Sequence, residues 1–458
     1  MESNIIIHRC LLLFLAIAYF LPLNCTTQLP NSASISPDGT KEVWLTVFVH
    51  GIISIKPHTT LLNFPRFLTD NVIDSPYGQT VEMIRQDPFF YQNQTIQTLG
   101  LLPIDLSNFQ KGATASTMAR IFDKINQINA PHDTLNFYYT YGWSGLLSKL
   151  ARYYDAKLFL DSLEKEVARF RAMGIEPKIR LIGYSHGGTI ILKLALVKQK
   201  ESLNPSFAIN ETYLFGTPIQ FDTDYLIADP LFLKVYNMFS RSDRAQKLDF
   251  FSSGHFFSDQ IFSSHFGFEE LPSKLTQVEI RMIRKAGESC LPLHQTDAQL
   301  PLLFNGKRCS RKIRNVSPGH SELWFFGWTP LNYRPTFLLY PLPVAAFATF
   351  ITNAIKPFEH TFTPERPVVV TIDPRRNSFI VNNNTWRCPI IEKLSFVGVN
   401  TLIALQQEAL LYKPDPNYYN YDAFNKHIEQ AHTKAMALLK EKKCALKRKC
   451  SHQTIVCK

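Results

Sequence analysis

The chain has 458 residues, 45% hydrophobic and 19% charged, enough to bury a large core and to exclude wholesale disorder. Its 49 Lys and Arg exceed its 38 Asp and Glu by eleven, and the excess is concentrated: Lys434–Lys458 holds eight basic residues and one acid, Glu441. The rest of the chain is nearly balanced, which argues against a nucleic-acid-binding body and points to a basic tail.

Cys10–Leu23 is an uncharged run of fourteen residues between Arg9 and the polar Asn24, Thr26 and Thr27. A membrane span needs about 18 or more apolar residues. The shorter run fits the apolar region of a secretory signal, so residues 1–25 are expected to be a signal peptide and 26–40 a polar linker. The alternatives are an uncleaved anchor and lipidation at Cys25 within Leu21-Pro22-Leu23-Asn24-Cys25. Export would permit disulfides among Cys290, Cys309, Cys388, Cys444, Cys450 and Cys457, with Cys290 and Cys309 bracketing one loop. The spacing of the last three does not match a C-x-x-C zinc site.

Val43–Val49 is almost continuously apolar, as expected of a strand buried on both faces of a parallel sheet, and it runs into His50-Gly51. Little can be assigned from there to about residue 130. Leu135–Tyr139 is a second strand candidate. Ala156–Met173 predicts a helix with Phe159, Leu160, Leu163, Val167 and Phe170 on one face and Gly174 at its end. Strands are then expected at Lys178–Ile182, Thr212–Phe215, Val235–Phe239 and Gln277–Ile283, with a helix over Thr189–Lys200. Val368–Ile372 and Ser378–Val381 suggest a hairpin, and Ala423–Lys443 a last helix before the basic end. Strands interleaved with helices predict an α/β fold with a mostly parallel sheet. Residues 41–355 are read as its catalytic domain and 356–458 as a C-terminal extension.

The strongest chemical signal is Gly183-Tyr184-Ser185-His186-Gly187, between a predicted strand and an apolar helix. A serine on such a tight turn projects its hydroxyl clear of the backbone, and the helix N-terminus favours negative charge developing beside it. Gly142-Trp143-Ser144-Gly145 imitates the motif but has Leu146 where the last glycine should stand. His50-Gly51-Ile52 is the second signal. An oxyanion formed at the serine needs two N–H donors, and Ile52 and His186 are suitably placed to supply them.

These residues, with Val49-His50-Gly51, Gly183–Gly188 and Phe215-Gly216-Thr217-Pro218, resemble the α/β-hydrolase superfamily, and within it the lipase- and esterase-like serine hydrolases. The resemblance spans roughly residues 41–330. It implies an acid and then a histidine following Ser185 in the chain. Asp243, after the strand Val235–Phe239, is the candidate acid ahead of Asp222, Asp224 and Asp249. His320, on Ser317-Pro318-Gly319-His320, is the candidate base ahead of His255 and His265. An insertion of about thirty residues carrying Cys290 and Cys309 precedes it. The implied chemistry is ester cleavage through an acyl-enzyme, with no metal or organic cofactor and an ester or lipid as substrate. An acyltransferase on the same residues and a non-catalytic binding protein are the alternatives. Seven phenylalanines in Phe250–Phe268 could form a lid or acyl pocket or be ordinary core, and apolar Thr336–Thr352 could touch a membrane surface or be buried.

Overall fold

The computed structural model describes residues 42–53, 70, 72–129, 134–243, 245–247, 258–263, 270–285, 313–316, 318–330, 339–374, 378–383, 391–395 and 397–456. The expected signal peptide and linker lie outside these residues. So do Cys290, Cys309, His255, His265, Asp249 and most of Phe250–Phe268.

Eleven described strands form one sheet: β1 (Glu42–Val49), β2 (Gly100–Pro103), β3 (Thr134–Gly142), β4 (Lys178–Tyr184), β5 (Glu211–Phe215), β6 (Val235–Phe239), β7 (Leu275–Lys285), β8 (Ile313–Val316), β9 (Val368–Asp373), β10 (Ser378–Asn382) and β11 (Ile391–Ser395). The order is β11-β10-β9-β7-β6-β5-β4-β1-β3-β2, with β8 attached to β7. From β3 through β9 the neighbours on this path are parallel. Strands β2, β8, β10 and β11 pair antiparallel at the margins. The fold is therefore α/β, with a mostly parallel mixed sheet flanked by helices.

The unbroken apolar runs follow from burial on both faces. Along β1, Phe48 packs into one core cluster, while Val47 and Val49 pack into another with Leu181 of β4 and Leu214 of β5. Helices α3 (Lys149–Ala172) and α4 (His186–Lys200) belong to the second cluster. The first contains residues of α1 (Pro76–Gln86), α2 (Thr114–Asn129), α5 (His320–Trp324), α6 (Ala348–Ile355), α7 (Val399–Leu411) and α8 (Tyr421–Val456). The predicted face of α3, from Phe159 to Phe170, is buried. At about 1.5–3 kcal/mol per large apolar side chain, that stripe supplies most of the reason this helix docks. It begins seven residues earlier than its pattern suggested, because Ser148 caps it by accepting from the Ala151 N–H at 3.0 Å.

The C-terminal segment is continuous with this architecture. Strands β9–β11 extend the same sheet, and α8 lies against α1 with Phe424, Ile428, Ala431 and Ala435 buried. The described part of the apolar run before residue 352 is core: Leu339, Leu342, Val344, Phe347 and Ile351 are fully buried. Among the described residues, no helix is long and apolar enough to cross a membrane.

Candidate active site

The carboxyl ends of β1, β4, β5 and β6 emerge together, and the predicted residues follow them directly. His50-Gly51-Ile52 follows β1, Ser185 follows β4, Gly216 follows β5 and Asp243 lies four residues beyond β6. Crevices at this edge of a parallel sheet are the usual ligand sites of α/β folds.

Ser185 has φ 51° and ψ −129°, a conformation that L-residues avoid and that costs about 1–3 kcal/mol. It is held there from both sides. Its N–H donates to the Phe215 carbonyl at 2.8 Å, and its carbonyl accepts from Gly188 at 3.0 Å. Gly187 lets the turn sit on the end of β1: a Cβ there would lie 2.3 Å from the Val49 carbonyl oxygen and 2.4 Å from that of His50. His186 opens α4, where the first-turn N–H groups have no intrahelical acceptor. Its Nδ1 lies 2.6 Å from Nη1 of buried Arg152. A guanidinium only donates, so Nδ1 of His186 is the acceptor and the ring is neutral.

Asp243 is completely buried, and its Oδ2 lies 2.7 Å from Nδ1 of His320. The carboxylate accepts, so Nδ1 carries the proton and Nε2 is left as an acceptor. The second carboxylate oxygen accepts from the Gln246 N–H at 3.1 Å. Gln260 Nε2 donates to the carbonyls of both Asp243 and Ser240 at 2.8 Å, bracing the loop. On the other side, the Tyr184 ring stacks on Trp324 at 5.3 Å, and its hydroxyl donates to the His320 carbonyl at 3.2 Å. Burial keeps that phenol well above its ordinary pKa, so it remains a donor.

The chain thus brings Ser185, His186, His320 and Ile52 to one cavity of about 360 Å³, with Asp243 behind His320. Its other walls include Ile53, Ile84, Phe90, Ile96, Phe325 and Phe424. Among the described residues, no hydrogen bond joins the Ser185 hydroxyl to His320. Such contacts are often long without substrate and tighten when it binds. No group of three His, Cys, Asp or Glu among the described residues could hold a metal ion.

His50 is a support for this site. Fully buried, it stacks on Trp143 at 5.4 Å, donates from Nδ1 to the Gly51 carbonyl at 2.6 Å and accepts from the Trp143 N–H at 3.4 Å. Desolvation, reinforced by the charge of Arg85, lowers its pKa well below 6.5, so it stays neutral. Gly145 accepts from the Ile53 N–H at 3.3 Å and the Trp143 indole donates to the His50 carbonyl at 2.7 Å. The segment that imitates the serine motif therefore clamps the loop carrying Ile52. Its own serine is engaged elsewhere, donating to Asp155 at 2.6 Å. Asp222 pairs with Lys149 at 3.0 Å, away from His320.

Gly216 also gains a physical role. Its φ is +56°, and a Cβ would lie 2.8 Å from Asp243 Oδ2 and 3.1 Å from His320 Nδ1. Gly216→Ala is therefore expected to push the imidazole and carboxylate apart. Misplacing reacting groups by about 1 Å can cost 10²-fold in rate. Turnover of an activated ester should fall by about that factor, while the strained backbone costs only about 1–2 kcal/mol of stability. A thermal melt beside the rate measurement separates the two effects.

No family model matches the chain, and no curated protein matches it. Among solved structures, a Tle1 effector bound to the VgrG spike from the Type 6 secretion system overlaps it with a TM-score of 0.25 and 10% sequence identity, over 90% of this chain and 84% of that one. A score that low does not establish a shared fold, and no conclusion is drawn from it.

Proposed function

We propose that the protein is an exported serine hydrolase of the α/β-hydrolase type that cleaves carboxylic esters, preferentially lipid-like ones. The observation that carries this reading is the buried Asp243 carboxylate 2.7 Å from Nδ1 of His320, in a histidine that shares one largely apolar cavity with the strained Ser185. Strain at a serine on a strand-to-helix turn is costly and has no structural benefit here, but it presents the hydroxyl to a substrate.

In this mechanism Ser185 Oγ attacks the ester carbonyl and its proton passes to His320 Nε2. Asp243 keeps the ring oriented and stabilises the imidazolium. The N–H groups of Ile52 and His186 receive the oxyanion. The tetrahedral intermediate collapses as His320 protonates the departing alcohol, leaving Ser185 acylated. Water, deprotonated by the same Nε2, then releases the acid and restores the serine. A fluorophosphonate probe tests the reading directly: the native chain should be labelled at Ser185, and absence of labelling in folded protein would refute it. Adding an acceptor alcohol and analysing products separates hydrolysis from acyl transfer.

Lipid surfaces enter through α8. Its first turns are docked, with Phe424 reaching the cavity, while Lys434, Lys440 and Lys443 further along are exposed. Each basic residue held near an anionic bilayer contributes about 1 kcal/mol, and the attraction falls with salt. The chain is therefore expected to sediment with phosphatidylserine-containing vesicles at low salt. Raising the salt or deleting Lys434–Lys458 should release it. Sedimentation that is indifferent to both would remove the surface from the proposal and leave a soluble esterase.

A further inference from the structure

Three consecutive polar side chains, Asn93, Gln94 and Thr95, are enclosed at 3%, 8% and 1% exposure. They follow Phe89 and Phe90 and precede Ile96, in the loop after α1. Asn93 and Gln94 line the same cavity as Ser185, otherwise walled on this side by Ile84, Phe90 and Ile96. Asn93 is partly accounted for, since its Oδ1 accepts from the Thr329 hydroxyl. Gln94 is not: its Oε1 is enclosed without a hydrogen-bond partner, and so is the hydroxyl of Thr95. Burying a carboxamide without satisfying it opposes folding, and a leucine or methionine would fill the same wall at no such cost. An unsatisfied amide in the wall of a reaction cavity is accounted for if something that enters the cavity satisfies it.

We infer that Gln94 forms a polar subsite for a hydroxyl group on the acyl chain of the substrate. This deepens the ester-hydrolase reading and rests on it. A hydroxyl both donates and accepts, so it can pair with the Gln94 carboxamide whichever of its two polar atoms a half-turn presents. A charged group would be poorly served, because no oppositely charged side chain lines this cavity. An unsubstituted alkyl chain would leave the amide unpaired. At about 30 Å³ per small-molecule heavy group, the cavity holds roughly a dozen such groups, which suits a medium-length acyl chain bearing one hydroxyl. Sites built to pair with a substrate hydroxyl discriminate strongly against analogues lacking it, because the buried partner is then left unsatisfied.

Binding to the full-length Ser185→Ala chain tests the subsite with no chemistry involved. The probes are decanoyl esters of one alcohol, unsubstituted or with a hydroxyl moved carbon by carbon along the chain. One position, or two adjacent ones, should bind at least about tenfold tighter than the unsubstituted ester. Adding Gln94→Met, which keeps length and removes the amide, should abolish that preference and tighten binding of the plain chain. Equal affinity for every isomer would overturn the inference, and that result needs no Gln94 variant to fold. A preference that survives Gln94→Met would overturn it too. Failure of the hydrolase reading looks different: the hydroxyl preference would remain, while fluorophosphonate would not label the native serine.

Discussion

Replacing Ser185 with alanine should abolish ester turnover and fluorophosphonate labelling while leaving the fold intact. Removal of a triad nucleophile costs on the order of 10⁶ in kcat, because what remains is only the assistance of binding and oxyanion donors. The fold should tolerate the change. The Ser185 N–H bond to Phe215 and the Gly188 bond to the residue 185 carbonyl are backbone contacts that alanine retains. Its side chain makes no capping hydrogen bond to α4, so none is lost. The melting temperature should stay within about 2 °C, which for a chain this size corresponds to less than about 1 kcal/mol. Ser185→Gly sharpens the test. Glycine enters the positive-φ conformation without strain, so this variant should be at least as stable as the native chain and equally inactive. That combination marks a residue whose geometry serves chemistry at the expense of stability. Ser144→Ala is the control, since Ser144 is committed to Asp155, and labelling should survive it. Labelling that persists in folded Ser185→Ala protein would move the nucleophile elsewhere.

The sheet was legible because its central strands are buried on both faces, so Val43–Val49 and Val235–Phe239 are almost unbroken apolar runs. The serine turn was legible because it needs a fixed local pattern. The stretch from residue 72 to 129 was not read, although it holds α1, β2 and α2 and supplies Ile84, Phe90, Gln94 and Ile96 to the cavity. Signals existed there. Ser75-Pro76 is a cap followed by a first-turn proline, and Ser75 Oγ does accept from the Gly78 N–H at 3.1 Å. Met118, Ile121, Phe122 and Ile125 recur at helical spacing along α2 and are fully buried. Other features lay beyond sequence reasoning in principle. That Gly216 makes room for two side chains from distant segments, or that Gln260 holds the Asp243 loop by its carbonyls, depends on contacts between residues far apart in the chain. The shape of His50 as a clamp for the Ile52 loop is of the same kind: its position suggested the oxyanion motif, but only the packing against Trp143 assigns it a supporting part.

His320→Ala should be nearly as damaging as loss of Ser185, because nucleophile and base act as a unit and removing either one leaves the other idle. Asp243→Asn should cost less, about 10⁴ in kcat, for a reason the geometry makes explicit. The carboxylate accepts the Nδ1 proton of His320 at 2.7 Å, which leaves Nε2 free to take a proton from the serine. An asparagine that turned its amide nitrogen to Nδ1 would donate instead, so the ring would carry its proton on Nε2 and could no longer act as base. The alternative orientation would direct that NH₂ at the Gln246 N–H, a donor facing a donor at the present 3.1 Å, and is disfavoured for that reason. The asparagine variant should therefore remain folded, with Gln260 still bracing its loop through the Asp243 and Ser240 carbonyls. His255→Ala and His265→Ala should each leave activity within about tenfold, a barrier change of about 1.4 kcal/mol. Steady-state turnover of one activated ester by all four variants decides the matter. A large loss in His255→Ala or His265→Ala, with His320→Ala active, would transfer the base to the phenylalanine-rich segment and leave the Asp243–His320 contact as structural support.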